Sequence, residues 1–350
     1  MNITDVEFHL IAIGRTDSGL PVRSLVVQIE TEAGVSGWGE ASCGWQPVEI
    51  AGRRDVTASL MVGRSIFDIE EYHTEEIIRQ PWLRAAIEMA CLDAIARSAG
   101  QPLCRLLGGE YRRQIPLIVP IDATESREIT DACRNLIDRG FHDLLLTATG
   151  HAERDIQSLR AADEYATPRT SLWLDGAKQY DIDAAHRFSI ELERIGPRLW
   201  IDPLKTDQLG PVAELQRETL VPLGVDRAVF RPADVLAVVR SAAGGTVGVN
   251  LARVGGVFPA RRCVAVAGAG NLALLLRCGS SLGIATAAML HTAAALPELT
   301  LGVECCYPQL RDDLLTTPLE IIDAAASVPS GPGLGIEIDR DKLDRYQVGV

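Results

Sequence analysis

Lysine is nearly absent from this chain. Of its 34 basic residues only Lys178, Lys205 and Lys342 are lysines, which leaves 31 arginines and few places for chemistry that needs a titratable amine. Basic residues form no block or stripe and the formal net charge is -13, so the electrostatic footprint of a nucleic-acid binder is missing. No apolar run reaches the ~20 residues that a bilayer span requires. The opening stretch, MNITDVEFHLIAIG, has no basic region ahead of its apolar part, so a soluble, cytoplasmic protein without a membrane partner is expected. The eight cysteines (43, 91, 104, 133, 263, 278, 305 and 306) lack CxxC spacing and several lie inside apolar patterns, which points to buried, reduced thiols. No GxGxxG motif follows a first strand, an argument against a dinucleotide-binding open sheet.

What the chain does have is three aspartates at the ends of apolar runs: Asp175 in LWLDGA, Asp202 in LWIDP and Asp226 in PLGVDR. They stand 27 and 24 residues apart, the length of a strand, a helix and two short loops. Each would therefore end a successive strand of a parallel β/α structure, and in a barrel such ends share one mouth. Three carboxylates meeting there repel one another unless a hard divalent cation such as Mg²⁺ lies among them. The bland alternative is that they cap the helices that follow, since aspartate is a favoured N-cap. Lys178 and Lys205 each come three residues after an aspartate, in DGAK and DPLK, and in a dry mouth either could serve as a base. Exposed loop lysines are the ordinary reading of the same pattern.

The chain opens with three alternating runs, DVEFHLIAIG, SLVVQIETEAG and GWGEAS, which predict an antiparallel meander. Helical patterning follows, with Ala85, Met89, Leu92, Ala96 and Ala99 on one apolar face that ends at Gly100. From Gln114 onward eight short apolar runs alternate with amphipathic stretches, from IPLIVPID to LTLGVECC. Eight strands alternating with helices predict a parallel sheet closed into a barrel, with a doubly wound open sheet as runner-up. The expected fold is α/β: an α+β capping domain over residues 1–112, a (β/α)₈ TIM barrel over 113–317, and a C-terminal return over 318–350 that packs on the capping domain.

Four stretches carry a resemblance: GVSGWGEAS (34–42), IEMACLDAIARSAGQPLCRLLGG (87–109), LARVGG (251–256) and SLGIATAAMLHTAAA (281–295). Together they make the chain resemble the enolase superfamily, in particular its muconate-lactonizing and mandelate-racemase branches, over nearly its whole length. The resemblance implies a capping domain whose loops choose the substrate and a modified (β/α)₈ barrel holding Mg²⁺. It also implies abstraction of the proton α to a carboxylate, with a metal-stabilised enediolate, and a homo-oligomer. Asp175, Asp202 and Asp226 match the metal positions, although Asp202 directly precedes Pro203, which shortens the loop and the side chain.

The usual bases are replaced. Leu145 and Thr147 stand where the family's paired lysines would be, Asn250 at the opposing base, and Arg277, Cys278 and Gly279 near the last strand ends. Strand alternation lets only one of Arg277 and Cys278 face inward, the arginine to bind a carboxylate or the cysteine to act as acid or base. Arg227, in place of a glutamate, is a candidate to hold the substrate's carboxylate, with Asn250, Thr147, Trp45 and Arg23 as further pocket residues. His291, in an apolar helix, reads as structural. The function expected is a lyase or isomerase step on a small carboxylate through a Mg²⁺-stabilised enediolate with a non-standard base. The alternative is a catalytically silent member that binds a ligand or regulates, and metal-independent chemistry on Arg277 and Cys278 is a third possibility.

Overall fold

The computed structural model describes residues 1–350 except 17–19, 43, 45, 124, 349 and 350. Strands β1 (Ile3–Ile13), β2 (Val22–Thr31) and β3 (Ser36–Ser42) form the antiparallel meander, in that order. Helix Pro81–Ser98 lies across it. The apolar stripe expected on this helix is too narrow a description: residues 85–94 are all buried, whereas Ala99 is exposed. The helix is sandwiched between the sheet and the barrel, so it needs an apolar surface nearly all round.

The eight apolar runs become eight parallel strands: β4 (Gln114–Ile121), β5 (Asp143–Thr147), β6 (Ser171–Asp175), β7 (Leu199–Ile201), β8 (Leu223–Val225), β9 (Thr246–Asn250), β10 (Ala273–Gly279) and β11 (Gly302–Cys305). Pairing of Val303 with Leu117 and of Glu304 with Ile118 closes β11 onto β4. The barrel is therefore shut, not an open doubly wound sheet. Ile118, Leu145, Trp173, Leu199, Ile201 and Leu275 fill its interior as a separate apolar cluster. With side chains alternating along each strand, these positions fix which later residues point into the mouth.

After β11 the chain adds a hairpin, β12 (Ile321–Ile322) and β13 (Ala325–Ser327), to the first residues of β4, Gln114 to Pro116, ahead of its pairing with β11. It then crosses to the capping domain, where the Val348 N–H donates to Leu10 and Arg340 lies 4.7 Å over the Trp38 ring. No helix among the described residues is long and apolar enough to cross a membrane.

Two buried carboxylates of the capping domain fasten it to the barrel. Glu40, on β3, accepts the Leu282 and Ala285 N–H groups at the start of helix Gly283–Ala294. Glu88 accepts the Val257 and Phe258 N–H groups at the start of helix Val257–Ala269. Each thus satisfies orphan donors of a barrel helix from the other domain. Burial, opposed by these N–H groups, pushes Glu40 up to about 7 and Glu88 up to about 8.

The sign follows from linkage. Both groups stay protonated in the fold at pH values where the unfolded chain, near 4.5, has released its protons. Their stabilising contribution is full below that value and is lost as pH rises through 7 and 8. His9, His73 and His291 are shifted down by burial and act in the opposite direction, but only below their ordinary 6.5. Unfolding stability is therefore expected to fall by about 2 kcal/mol between pH 6.5 and 8. Urea midpoints across that interval check it, and the slope should flatten in the double variant Glu40→Gln, Glu88→Gln. A level profile in the native protein would refute it.

Candidate functional site at the barrel mouth

Alternation carries the interior pattern to the mouth. Asp175 lies two residues beyond Trp173 and Arg277 two beyond Leu275, so both point inward, while Asp226 follows β8 and Glu304 lies on β11. Glycine at 248 is required on the adjacent strand, because a Cβ there would lie 2.7 Å from that of Asp226. Asp202, after β7, adopts a left-handed backbone with φ 45°, a conformation aspartate tolerates better than most residues. This bend turns its carboxylate onto the Asp226 and Arg227 backbone N–H groups at 2.9 and 2.8 Å.

The three aspartates do converge, but with arginines among them. Arg227 grips Asp175 at both ends, Nη1 to Oδ1 at 2.5 Å and Nη2 to Oδ2 at 3.0 Å, and reaches Asp202 at 3.1 Å. Arg253 holds Asp226 in a second fork, at 2.7 and 3.2 Å. Arg277, only 8% exposed, joins Asp175, Asp226 and Glu304 at 3.0, 3.0 and 3.2 Å. Four carboxylates thus face three guanidinium groups. Bidentate, charge-assisted pairs of this kind are the strong ones.

Titration follows the partners. Burial pushes the Asp175 carboxyl up, but Arg277 and Arg227 outweigh it and hold it below the usual range. Asp202 goes the other way, raised by burial and then by the neighbouring Asp226 charge. For Arg277, burial favours the neutral form, yet Glu304, Asp226 and Asp175 keep it charged, well above its ordinary value.

The metal assignment of Asp175, Asp202 and Asp226 does not fit: each of their six carboxylate oxygens already accepts a guanidinium or backbone N–H. Among the described residues no group of three or more histidine, cysteine, aspartate or glutamate side chains is arranged to hold a metal ion. A dication would have to displace at least one arginine. Lys178 pairs with Asp207, whose side chain is 83% exposed on the next loop, and its backbone N–H donates to the Asp202 carbonyl at 2.8 Å, while Lys205 is exposed.

Cys278 faces outward into the core, where burial pushes its thiol up, away from acid/base use. Arg277 is the inward member of that pair, but it binds protein carboxylates. Arg227 is likewise engaged with Asp175 and Asp202. The Asn250 side chain caps helix Leu251–Val254 by accepting the Arg253 N–H at 3.0 Å. Thr147 is exposed at the end of β5, in register with Asp175, and Arg23 lies on β2 opposite Ala12. Trp45 lies outside the described residues.

Two members of the cage, Arg253 and Glu304, were not singled out from the sequence. Glu304 could have been, as the polar residue following an inward Gly302 by two along the run LTLGVECC. Arg253 sits on the short helix after β9, where strand alternation gives no guidance.

A closed parallel barrel roofed by an antiparallel domain, with charged groups gathered from β6 to β11 at one mouth, defines a capped (β/α)₈-barrel protein. Residues 128–342 match the family described as enolase C-terminal domain-like, and residues 13–108 match the mandelate racemase / muconate lactonizing enzyme N-terminal domain. The chain belongs to the enolase superfamily. It is 28% identical to muconate cycloisomerase 1 of Rhodococcus opacus over 336 residues, 92% of this chain and 90% of that one. It is 23% identical to the N-succinyl-L-Arg/Lys racemase of Bacillus cereus over 347 residues, 93% of this chain and 90% of that one. Among solved structures, an isomerase from Streptomyces coelicolor A3(2) is similar with a TM-score of 0.88 and 27% identity, covering 99% of this chain and 98% of the other. Cycloisomerases and racemases among its relatives support an isomerase-type function. Members of the superfamily typically use Mg²⁺.

Proposed function

We propose that the mouth receives a small carboxylate and that guanidinium groups of the chain, not a divalent cation, meet its charge in an isomerase-type step. The observation that supports this is the engagement of every aspartate oxygen by arginine or backbone N–H. A proton α to a carboxylate is very weakly acidic, so the charge that develops when it leaves must be met by a fixed cation in a dry site. Arg227 is the group best placed to address a ligand: its side chain is 33% exposed, against 10% for Arg277. Binding would exchange its contact with Asp202, at 3.1 Å the longest of the three that Arg227 makes to the aspartates, and the carboxylate so released would accept the α-proton.

A second reading, ligand binding without turnover, is favoured by the ion pair that engages Lys178 with Asp207 and by the exposure of Lys205. One experiment separates the two. Protein in D₂O with a chelator is incubated with a panel of small α-substituted carboxylates, reading deuterium uptake by NMR and binding by calorimetry. The expected result is chelator-insensitive exchange that falls at least ~10-fold in Arg227→Met, the loss of one charge-assisted contact. Exchange that appears only with added Mg²⁺ refutes the metal-free step. Binding without exchange selects the second reading, and no binding of any carboxylate removes both.

A further inference from the structure

We infer that Arg277 is the resident cation of this mouth, built into the chain at the point where the surrounding carboxylates converge. Its three sets of N–H groups each meet a different strand: Nη2 meets Asp175 of β6, Nη1 meets Asp226 after β8, and Nε meets Glu304 of β11. The arginine itself comes from β10, so four strand ends are tied through one planar group. Such convergence on a single centre is what three carboxylates would otherwise need a divalent ion to achieve. A guanidinium supplies one positive charge where a dication supplies two. Arg227 on Asp175 and Asp202, and Arg253 on Asp226, supply the remainder from the rim.

Three consequences distinguish a covalently attached cation from a bound one. It cannot be chelated, it does not titrate below strongly alkaline pH, and it excludes a metal by occupying the same oxygens. The native protein should therefore be indifferent to divalent cations, whereas shortening residue 277 should release one acceptor position each on Asp175 Oδ2, Asp226 Oδ2 and Glu304 Oε2 for a cation, with Arg227 and Arg253 still in place. The inference concerns the cation alone and does not depend on whether a carboxylate ligand binds or turns over.

The test uses Mn²⁺ as probe, with binding read by electron paramagnetic resonance and stability by thermal melting, on the native chain, Arg277→Ala and Arg277→Lys. Expected are no saturable binding and no melting shift in the native protein at millimolar Mn²⁺. In Arg277→Ala, binding should tighten at least ~10-fold and Mn²⁺ should raise the melting temperature by mass action. Arg277→Lys, which keeps a charge in place, should remain indifferent. Saturable Mn²⁺ binding to the native chain that disappears in Asp175→Ala overturns the inference, as does an Arg277→Ala protein that folds and gains nothing. Should Arg277→Ala fail to fold, the native protein still decides: a melting temperature raised by Mn²⁺ overturns the inference, and one unchanged upholds it.

Discussion

Replacing Asp175 with alanine is expected to lower the unfolding free energy by about 3–5 kcal/mol, the cost of stranding buried charges by removing one partner. The direction discriminates between two pictures of the mouth. If Asp175, Asp202 and Asp226 were bare ligands awaiting a metal, deleting one would relieve repulsion between like charges and leave the metal-free fold as stable or more so. In the structure Asp175 is 1% exposed and takes hydrogen bonds from the Arg227 and Arg277 guanidinium groups and from the Ala177 N–H. Its removal leaves a nearly buried guanidinium one carboxylate short and a half-buried one with only its weaker contact to Asp202. Because the Asp175 carboxyl is held below its usual range, its ionised form also contributes stability that is present above about pH 4, the unfolded value, and is lost as pH falls through the lower, folded one. Urea denaturation at pH 7 and again near pH 3 measures both effects. A neutral or stabilising substitution would mean that the ion-pair cage is absent.

The sequence made the seat of these groups legible and their relations illegible. Spacing between Asp175, Asp202 and Asp226 tracks the βα repeat, and the repeat alone brings strand ends to one mouth. Carboxylate convergence could thus be read without coordinates. What surrounds the carboxylates could not, because a guanidinium reaches across strands and no local pattern records its destination. Arg277 was recognisable as an inward residue of β10 only up to its alternation with Cys278. That it joins Asp175, Asp226 and Glu304 depends on barrel closure, a relation between residues 102, 51 and 27 positions apart. For the lysines a local turn decides the direction. Three residues beyond a strand end, Lys178 has passed a left-handed turn, with φ 50° at Ala177 and 56° at Lys178, and points to the neighbouring loop.

In the capping domain, by contrast, a motif of small residues predicts its own geometry, and one added methyl group should show it. In the run GVSGWGEAS, Gly37 and Gly39 of β3 face helix Pro81–Ser98, and Trp38 between them turns to the other side, under Arg340. A Cβ at Gly39 would lie 1.8 Å from the Ala86 carbonyl oxygen, and one at Gly37 would lie 2.0 Å from that of Ala90. These neighbours are backbone atoms of a helix buried on nearly every side, so they cannot rotate away as a side chain could. Gly39→Ala is therefore expected to cost about 3 kcal/mol or more, at the upper end of overpacking penalties. The strain should also reach the mouth's roof, since Glu40, the next residue, anchors the strand to barrel helix Gly283–Ala294. Urea unfolding gives the first quantity, and hydrogen exchange at the Leu282 and Ala285 amides gives the second. Gly34→Ala, at a turn with open space around it but φ 71°, supplies the control: only backbone strain of about 1 kcal/mol, with no loss of protection at those amides. A cost for Gly39→Ala no larger than for Gly34→Ala would refute the close approach of sheet and helix as what Gly37 and Gly39, neither of which has a left-handed backbone, provide.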